Sequence, residues 1–531
     1  MNRDASYLRY LNFKRIGNSL MNSSKIVLTT AMLASVSMAA LGGDWNQWGR
    51  TSNKNFYSPE KGIPHEFAPG DFKSGTEEID LSTTENVKWV SKLGSQAYGN
   101  VTVANGHVYA GTNNETFRDP KHKGDRGIVY CLDEQTGAFK WQLVVPKLGA
   151  GKVSDWEFLG ICSSPAVDGE KLYVVSNRCE ILCLDAKGLA DGNDGFKDEA
   201  SYMAGPGKPP IAPGVTDADI LWVFDMREEL GVFPHNIASS SVVVAGDYVY
   251  ATTSNGQDWS HLNIPSPMAP CLVVLDKNTG EYAGEESSGI SRNLMHCNWS
   301  SPGYGEINGN GMVFFGAGDG VCYAFNPKPV PDGDLAILEE VWKFDCVPDK
   351  YKMENGEPIK YPAAEGPSEL ISTPVFYKNR VYIAIGQDPE HGEGVGNLVC
   401  IDASKKGDIT KDGAIWSYDK INRTISTCSI DPETGLLFMS DYSGFVYCLD
   451  AETGQEYWVH DMKAHMWGST LVADGKVFLG DEDGDLVVLA ATKEKKVLNE
   501  VYFGAPIYST PVVANGTLYV GTQTHLYAIG K

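Results

Sequence analysis

Three of the ten histidines in this chain lie at matching places, just before three predicted β-hairpins. They are His235, His296 and His465. An imidazole can bind a metal ion, relay a proton or bond to loop carbonyls. Because the hairpins belong to a repeated unit, described below, we expect the three rings around one mouth of the molecule. There they either form a polar site or satisfy backbone groups at the start of the strands.

Other polar and aromatic residues occupy the same lead-in loops, which are the short loops before each hairpin. An arginine there could hold an anion, and tryptophan rings could stack on a planar or sugar-like ligand. Packing of the aromatic rings against neighbouring loops is an equally good explanation. The ligand-binding candidates at this mouth are His235, Asn236, His296, Asn298, Trp299, Arg423, His465 and Trp467.

Acidic loops follow several of the predicted strands and offer ligands for calcium. Asp481, Asp483 and Asp485 lie close together in one of them, and a second polar loop spans 387–391. A calcium ion takes about six to eight oxygen ligands, which carboxylates at this density could supply. Aspartate beside glycine also forms ordinary turns. Both interpretations of the three aspartates stay open.

Several kinds of chemistry are disfavoured by the sequence. No Gly-x-Ser-x-Gly nucleophile motif occurs, and the glycine-rich stretch 392–396 lacks the Lys-Ser/Thr ending of a phosphate-binding loop. The formal net charge is −24 without a basic cluster, which argues against nucleic acid as a partner. Four of the eleven cysteines hold one place in four repeats, so we predict buried thiols and no disulfide framework.

An internal repeat positions these loops. The segment 447–458 echoes 130–141, and eight apolar hairpins recur along the chain, several with an Asn-Gly or Asp-Gly turn. A third strand follows each hairpin, and several copies add a fourth strand that carries a tryptophan. Four strands per copy, at a shortest spacing of about forty residues, predict an all-β fold. The expected architecture is an eight-bladed β-propeller of four-stranded antiparallel blades.

The two ends of the repeat array are predicted to share one blade. The last copy ends at residue 531 without a fourth strand, and an unpaired strand at 86–90 precedes the first copy. Pairing the two closes the ring and leaves no free sheet edge. We therefore predict that an N-terminal strand completes the last blade.

The region 1–43 has the pattern of an export signal. Lys25 precedes a short apolar run at 26–40, which is followed by small residues. Met21 is an alternative start to Met1. We expect export to the periplasm or the cell exterior, with residues 44–531 as one propeller domain that is monomeric and has no membrane span.

The repeat resembles that of a known family. The pattern Leu-Asp-x-x-Thr-Gly-x-x-x-Trp is complete at 132–141 and 449–458. It is similar to the repeat of the pyrroloquinoline quinone (PQQ)-type propellers, which include the quinoprotein alcohol dehydrogenases and the outer-membrane assembly protein BamB. The opening at 44–50 resembles the start of exported PQQ-repeat proteins of bacteria. The resemblance implies that a tryptophan of the fourth strand docks against the next blade, at Trp89, Trp141, Trp222, Trp342, Trp416 and Trp458.

Three functions are compatible with this resemblance. One is a binding or interaction scaffold that offers its axial face to a small molecule, a glycan or a protein and needs no cofactor. The second is a PQQ- and calcium-dependent dehydrogenase of alcohols or sugars. Its catalytic and metal-side candidates are Asp258 and Glu369, although the adjacent cysteines and the haem motif of that branch are absent from the sequence. The third is an envelope assembly factor similar to BamB.

Overall fold

The computed structural model describes residues 43–361 and 368–531, so most of the predicted export signal lies outside the described residues. The described chain forms eight antiparallel four-stranded blades arranged as a propeller ring. The predicted fold class and blade count are therefore confirmed. None of the helices in the described ranges is long and apolar enough to cross a membrane.

The blades are numbered in chain order, and their strands are given from the axis outwards. Blade 1 contains Thr102–Ala104, His107–Asn113, Arg126–Asp133 and Phe139–Pro146, and blade 2 contains Ala166–Asp168, Lys171–Val175, Glu180–Asp185 and Ile220–Asp225. Blade 3 contains Val243–Ala245, Tyr248–Thr252, Leu272–Asp276 and Tyr282–Glu286, and blade 4 contains Gly303–Ile307, Asn310–Gly316, Val321–Phe325 and Glu340–Asp345. Blade 5 contains Val375–Tyr377, Arg380–Ala384, Leu398–Asp402 and Ala414–Tyr418, and blade 6 contains Ser429–Ile430, Leu436–Ser440, Phe445–Asp450 and Glu456–Asp461. Blade 7 contains Leu471–Ala473, Lys476–Gly480, Asp485–Ala490 and Val497–Tyr502, and blade 8 contains Val512–Ala514, Thr517–Gly521, His525–Ile529 and Val87–Lys92.

Shorter elements decorate these blades. The hairpin Val330–Asp332 and Leu335–Leu338 extends blade 3, Gly407–Asp408 extends blade 4, Tyr57–Ser58 adds to the inner edge of blade 7, and Met353–Glu354 pairs with Glu357–Pro358. The α-helices are Glu199–Ala204 and Met226–Leu230, and the 3₁₀ helices are Leu81–Thr83, Gly151–Val153, Gly188–Ala190, Ile290–Arg292, Asp349–Tyr351 and Pro389–His391.

The ring is closed by the N-terminal strand, as the sequence predicts. Val87–Lys92 pairs antiparallel with His525–Ile529, and Lys92 lies opposite His525. This strand is the outermost strand of blade 8, so the described sheet of blade 8 takes strands from both ends of the repeat array.

Tryptophans of the fourth strands dock against turns of the following blade, and four of these turns place a glycine against the indole ring. The Trp89 indole N–H donates to the Glu134 carbonyl at 2.9 Å, and a Cβ added to Gly137 would lie 2.5 Å from the Trp89 ring. The same arrangement recurs around the ring. Trp141, Trp342, Trp416 and Trp458 donate to the carbonyls of Ala186, Ala403, Ala451 and Thr492 at 2.9–3.1 Å, and Trp222 packs on Gly280.

One of these contacts gives a direct test of blade docking. A Cβ added to Gly454, at φ +72°, would lie 2.7 Å from the Trp416 ring, whereas Gly475, at φ +68°, has open space around it. We expect Gly454→Ala to lower the free energy of unfolding by about 2–4 kcal/mol, since it adds overpacking to backbone strain. Gly475→Ala carries the backbone strain alone, about 1 kcal/mol. Denaturant unfolding curves measure both variants. Equal losses of free energy of unfolding would contradict the docking of Trp416 on Gly454.

The chain before the closing strand forms a hub segment, residues 44–60. Its hydrogen bonds join it to the innermost strand of every blade or to an adjacent residue. In blade order these bonds are Trp45 N to Val103 O, Val167 N to Asn46 O, Lys54 Nζ to Val242 O, Tyr304 N to Ser52 O, Phe376 N to Asn53 O, Ile430 N to Asn55 Oδ1, Val472 N to Phe56 O and Asn515 N to Glu60 Oε1, all at 2.7–3.4 Å. The hub segment therefore runs along the innermost strands, around the axis of the ring.

Candidate functional site

An axial cavity of about 580 Å³ opens among the lead-in loops. Every blade contributes to its wall. One lining residue from each of blades 1 to 8 is Asn100, Cys162, Ser241, Ser301, Thr373, Thr427, Gly468 and Thr510. Trp48 of the hub segment also lines the cavity. The fold thus gathers the lead-in loops around one space.

The hydroxyl groups of this wall hold the blades together. The backbone N–H of Ser164 donates to Ser241 Oγ in the next blade at 2.9 Å, and Ser241 N–H donates to Ser301 Oγ at the same distance. Similar bonds run from Thr373 to Thr427, from Thr427 to Ser469, from Ser469 to Thr510 and from Thr510 to Asn100. Five blade junctions use a hydroxyl acceptor and a sixth uses the Asn100 amide oxygen, so these side chains have a structural role that is independent of any ligand.

Aromatic rings form two sides of the axial cavity. On one side Tyr98 and Tyr508 stack with ring centroids 4.9 Å apart, and Trp467 meets Tyr508 at 5.2 Å. On the other side Trp299 is held by a hydrogen bond from its Nε1 to the Ile237 carbonyl at 3.1 Å. Such fixed aromatic faces can stack on a ligand without losing conformational freedom when it binds.

The charges at the axial cavity are negative. Glu157, Asp388 and Glu390 line it, and no lysine or arginine among the described residues does so. Asp388 is buried, and Asn236 donates from Nδ2 to its Oδ2 at 3.3 Å. Burial raises the pKa of Asp388, and the nearby His391 opposes this rise. The cavity is therefore suited to neutral or cationic ligands.

A histidine cluster, made of His235, His261, His296 and His391, adjoins the wall at Trp299. The Nε2 atoms of His235 and His296 are 2.8 Å apart, and those of His235 and His261 are 3.2 Å apart. His391 stacks on His296 with ring centroids 5.0 Å apart. Burial, together with repulsion from neighbouring imidazoles, lowers the pKa of His235 to about 4 and that of His296 to about 2.

His465 and Arg423 lie outside this cluster. His465 is 43 % exposed and stacks on Tyr442 at 4.4 Å, with Glu393 and Glu482 at 3.6 and 3.5 Å. Arg423 is buried against the 392–394 loop. Trp467, the neighbour of His465, does line the axial cavity.

The remaining candidates are held by protein groups. Asn298 is buried, with Nδ2 donating to the Asn255 carbonyl at 2.9 Å and Oδ1 accepting from Gly318 N–H at 2.9 Å. Glu369 is also buried and accepts the Cys297 N–H at 3.2 Å. Asp258 accepts from Ser260 N–H and Asn263 Nδ2 in its own loop.

The three aspartates of the 481–485 loop form a turn between two strands of blade 7. Oδ1 of Asp481 accepts the backbone N–H groups of Gly484 and Asp485, at 3.0 and 2.9 Å. Burial raises the pKa of Asp481 to about 6, and repulsion from Asp485 and Asp483 adds to this rise. Asp483 is exposed on the turn. Calcium at these residues stays a prediction.

Sequence reasoning missed His261, His391, Trp48 and Trp156 as site residues. His261 and His391 lie on the long insertions after the second strands of blades 3 and 5. The sequence shows each of them only as a histidine within a long polar loop, and this does not indicate which part of the molecule the side chain contacts. Trp48 belongs to the hub segment and Trp156 to the loop between blades 1 and 2, and both reach the axial cavity.

Comparisons with known proteins support the fold. The family model for the outer membrane protein assembly factor BamB matches residues 442–530, from blade 6 to the end of blade 8. No curated protein matches the chain. The crystal structure of BamB from Moraxella catarrhalis is similar, with 13% identity, a TM-score of 0.52, and coverage of 83% of this chain and 99% of that one.

Two dehydrogenase structures are similar to this chain, with TM-scores close to that of BamB. A europium-containing methanol dehydrogenase has 14% identity and a TM-score of 0.55, and the match covers 90% of this chain and 89% of that one. The quinohemoprotein alcohol dehydrogenase ADHIIG from Pseudomonas putida HK5 has 15% identity and a TM-score of 0.55, with 92% and 80% covered. At these identities the likeness concerns the fold alone.

Proposed function

We propose, on the premise that the chain is a propeller of the PQQ-like superfamily, that it is an exported binding protein for a neutral saccharide. The observation that carries the proposal is the lining of the axial cavity, where aromatic faces stand beside carboxylates without a lining lysine or arginine in the described chain. The apolar faces of sugar rings stack on tryptophan and tyrosine, and their hydroxyls donate to carboxylates. A volume near 580 Å³ lies within the range of about 300–1,000 Å³ that encloses small organic ligands.

Export is proposed from the sequence. The basic residue Lys25 before the apolar run 26–40 has the pattern of a secretory signal. A saccharide-binding role is consistent with a location outside the cytoplasm, and the axial face is the surface that we expect to meet the ligand.

The dehydrogenase alternative requires residues that fit PQQ, and those present do not. PQQ is a tricarboxylate, so it needs cations or many donors around it, whereas the axial cavity adds the carboxylates of Glu157, Asp388 and Glu390. Asp258 and Glu369 already accept hydrogen bonds from protein groups away from the cavity wall. We therefore propose no redox step.

An envelope assembly role similar to that of BamB has weaker support. The family match over 442–530 includes the Leu-Asp-x-x-Thr-Gly-x-x-x-Trp motif and two of the eight hairpins, which are features of the repeat itself. It therefore does not distinguish a saccharide-binding propeller from an assembly factor.

Removal of the cavity tryptophans tests the proposal. We expect the protein to bind at least one member of a panel of neutral mono- and oligosaccharides in calorimetry. Trp299→Ala and Trp467→Ala are each expected to weaken that binding at least about tenfold, because each removes a stacking face. The control is Trp259→Ala, since Trp259 is 57% exposed and does not line the cavity.

Two results would overturn the saccharide proposal. One is the absence of binding across the whole panel by protein with a normal thermal melt. The other is stoichiometric uptake of PQQ with Ca²⁺, displaced by no sugar. A quaternary ammonium probe in the same panel identifies an organic cation as the ligand if it binds in place of sugars.

A further inference from the structure

We propose that His235, His261 and His296 form a binding site for a divalent transition-metal ion such as Zn²⁺, beside the axial cavity. One ring nitrogen of each histidine contributes, and the three atoms lie within 4.8 Å of one another. Imidazole nitrogen is a preferred ligand for zinc and its neighbours in the first transition series. The site does not depend on the saccharide proposal.

The hydrogen bond of His235 fixes its tautomer. Its Nδ1 lies 2.6 Å from the backbone carbonyl of Gln257. A carbonyl oxygen only accepts, so Nδ1 must carry the proton. In the neutral ring Nε2 then has a bare lone pair, and it points toward His296 and His261.

His296 has an acceptor that can support the same tautomer. Its Nδ1 faces Gln387 Oε1 at 3.3 Å, and this atom also accepts the backbone N–H of Asp388 at 3.0 Å. Because a backbone N–H can only donate, the Gln387 atom is the amide oxygen. When a metal takes the Nε2 atom of His296, the ring proton therefore has an acceptor at Nδ1.

Without a metal, a proton on His296 Nε2 makes the 2.8 Å contact a hydrogen bond to His235 Nε2. A cation between the two nitrogens replaces this proton and takes a lone pair from each ring. A tetrahedral zinc with Zn–N bonds of about 2.0–2.1 Å separates its nitrogen ligands by about 3.3 Å, close to the spacing found here. A carbonyl or amide oxygen that accepts from the other ring nitrogen is the usual support of a metal-bound histidine.

The third ligand comes from a different element. His261 lies on the insertion after the second strand of blade 3, and its Nε2 is 3.2 Å from that of His235. Three histidines leave a fourth tetrahedral position for water or another ligand. Trp299 packs on His296 at a centroid distance of 4.9 Å and also lines the axial cavity, so the site shares a wall with that cavity.

A second acidic and histidine group in the described chain already has its cation. Asp119, His122 and Asp217 lie together, but the ammonium group of Lys121 is 2.5 Å from Asp217 and 3.3 Å from Asp119. That ammonium bridges the two carboxylates and offsets one of their two negative charges. In the three-histidine group, the Nδ1 atoms of His235 and His296 face a backbone carbonyl and a side-chain amide, and their Nε2 atoms face each other. We therefore assign the metal to this group.

The experiment uses untagged protein that has been treated with EDTA and dialysed. We expect one Zn²⁺ per chain in calorimetry, and one Co²⁺ with the intense visible absorption of tetrahedral coordination. Because loss of an outer-sphere partner costs about 10–100-fold in metal affinity, His261→Ala, which removes a direct ligand, should weaken Zn²⁺ binding at least about 100-fold. His261 is only partly buried, so this variant should fold; a thermal melt without metal checks it.

His465→Ala is the matched control, because His465 lies in a corresponding lead-in loop but outside the cluster. It should bind Zn²⁺ as the unchanged protein does, and Zn²⁺ should raise the melting temperature of both but not of His261→Ala. The proposal is overturned if natively folded protein binds neither ion. Undiminished binding to His261→Ala, or a weak octahedral Co²⁺ spectrum, overturns it as well.

Discussion

A protein that begins at residue 96 is expected to melt far below one that begins at residue 44 and to associate in solution. Removal of residues up to 95 takes away Val87–Lys92, the outer strand of blade 8, and leaves His525–Ile529 as an open edge. An unpaired edge strand is a template for pairing with another chain. Calorimetry with light scattering measures both effects.

A protein that begins at residue 62 separates the two contributions of this region. It keeps the closing strand but loses the hub segment, with its hydrogen bonds to all eight blades and with Trp48 of the axial cavity. We expect an intermediate melting temperature, no association and weaker ligand binding. If the proteins that begin at residues 44, 62 and 96 have the same melting temperature, neither the closing strand nor the hub segment stabilises the ring.

Stability should depend on pH through Lys54, which is fully buried in the hub segment. Its ammonium group donates to Gln47 Oε1, the Trp48 carbonyl and the Val242 carbonyl at 3.2–3.4 Å. Burial lowers the pKa of Lys54 from 10.5 to about 7. Between these values the unfolded chain binds more protons than the folded chain, so the free energy of unfolding rises with pH.

The measurement is the difference in free energy of unfolding between the unchanged protein and Lys54→Met. From pH 7 to pH 10 this difference should move in favour of the unchanged protein by on the order of 3 kcal/mol, because other titrating groups cancel. Lys61→Met is the control, since Lys61 is half exposed beside Glu433. A pH-independent difference for Lys54→Met would show that the buried amine keeps its proton throughout.

The fold was predictable because its signals are local. An Asn-Gly turn such as 105–106 specifies a tight hairpin through its backbone angles, φ 55° and 78°, wherever it occurs. Six fourth strands carry a docking tryptophan, which is likewise a signal within a single copy. Counting the hairpins gave the correct number of blades.

The candidate site was predictable only in part, because its residues meet through long loops and the ring geometry. Matching places in different blades are spread around a circle, so His235 and His296 of adjacent blades touch while His465 of blade 7 stands apart. His261 and His391 reach the cluster from insertions whose paths follow no repeat period. No periodic pattern marks the course of the hub segment either.

The hub segment has a consequence for biosynthesis. Glu60 accepts hydrogen bonds from Asn515 and Gly516, partners 455 and 456 residues later in the chain. A ribosome releases the first of these residues long before the last, so individual blades can form during translation while the hub waits for the carboxyl terminus. A nascent chain stalled before residue 512 should therefore be protease-sensitive at 44–60 even when its earlier blades are folded.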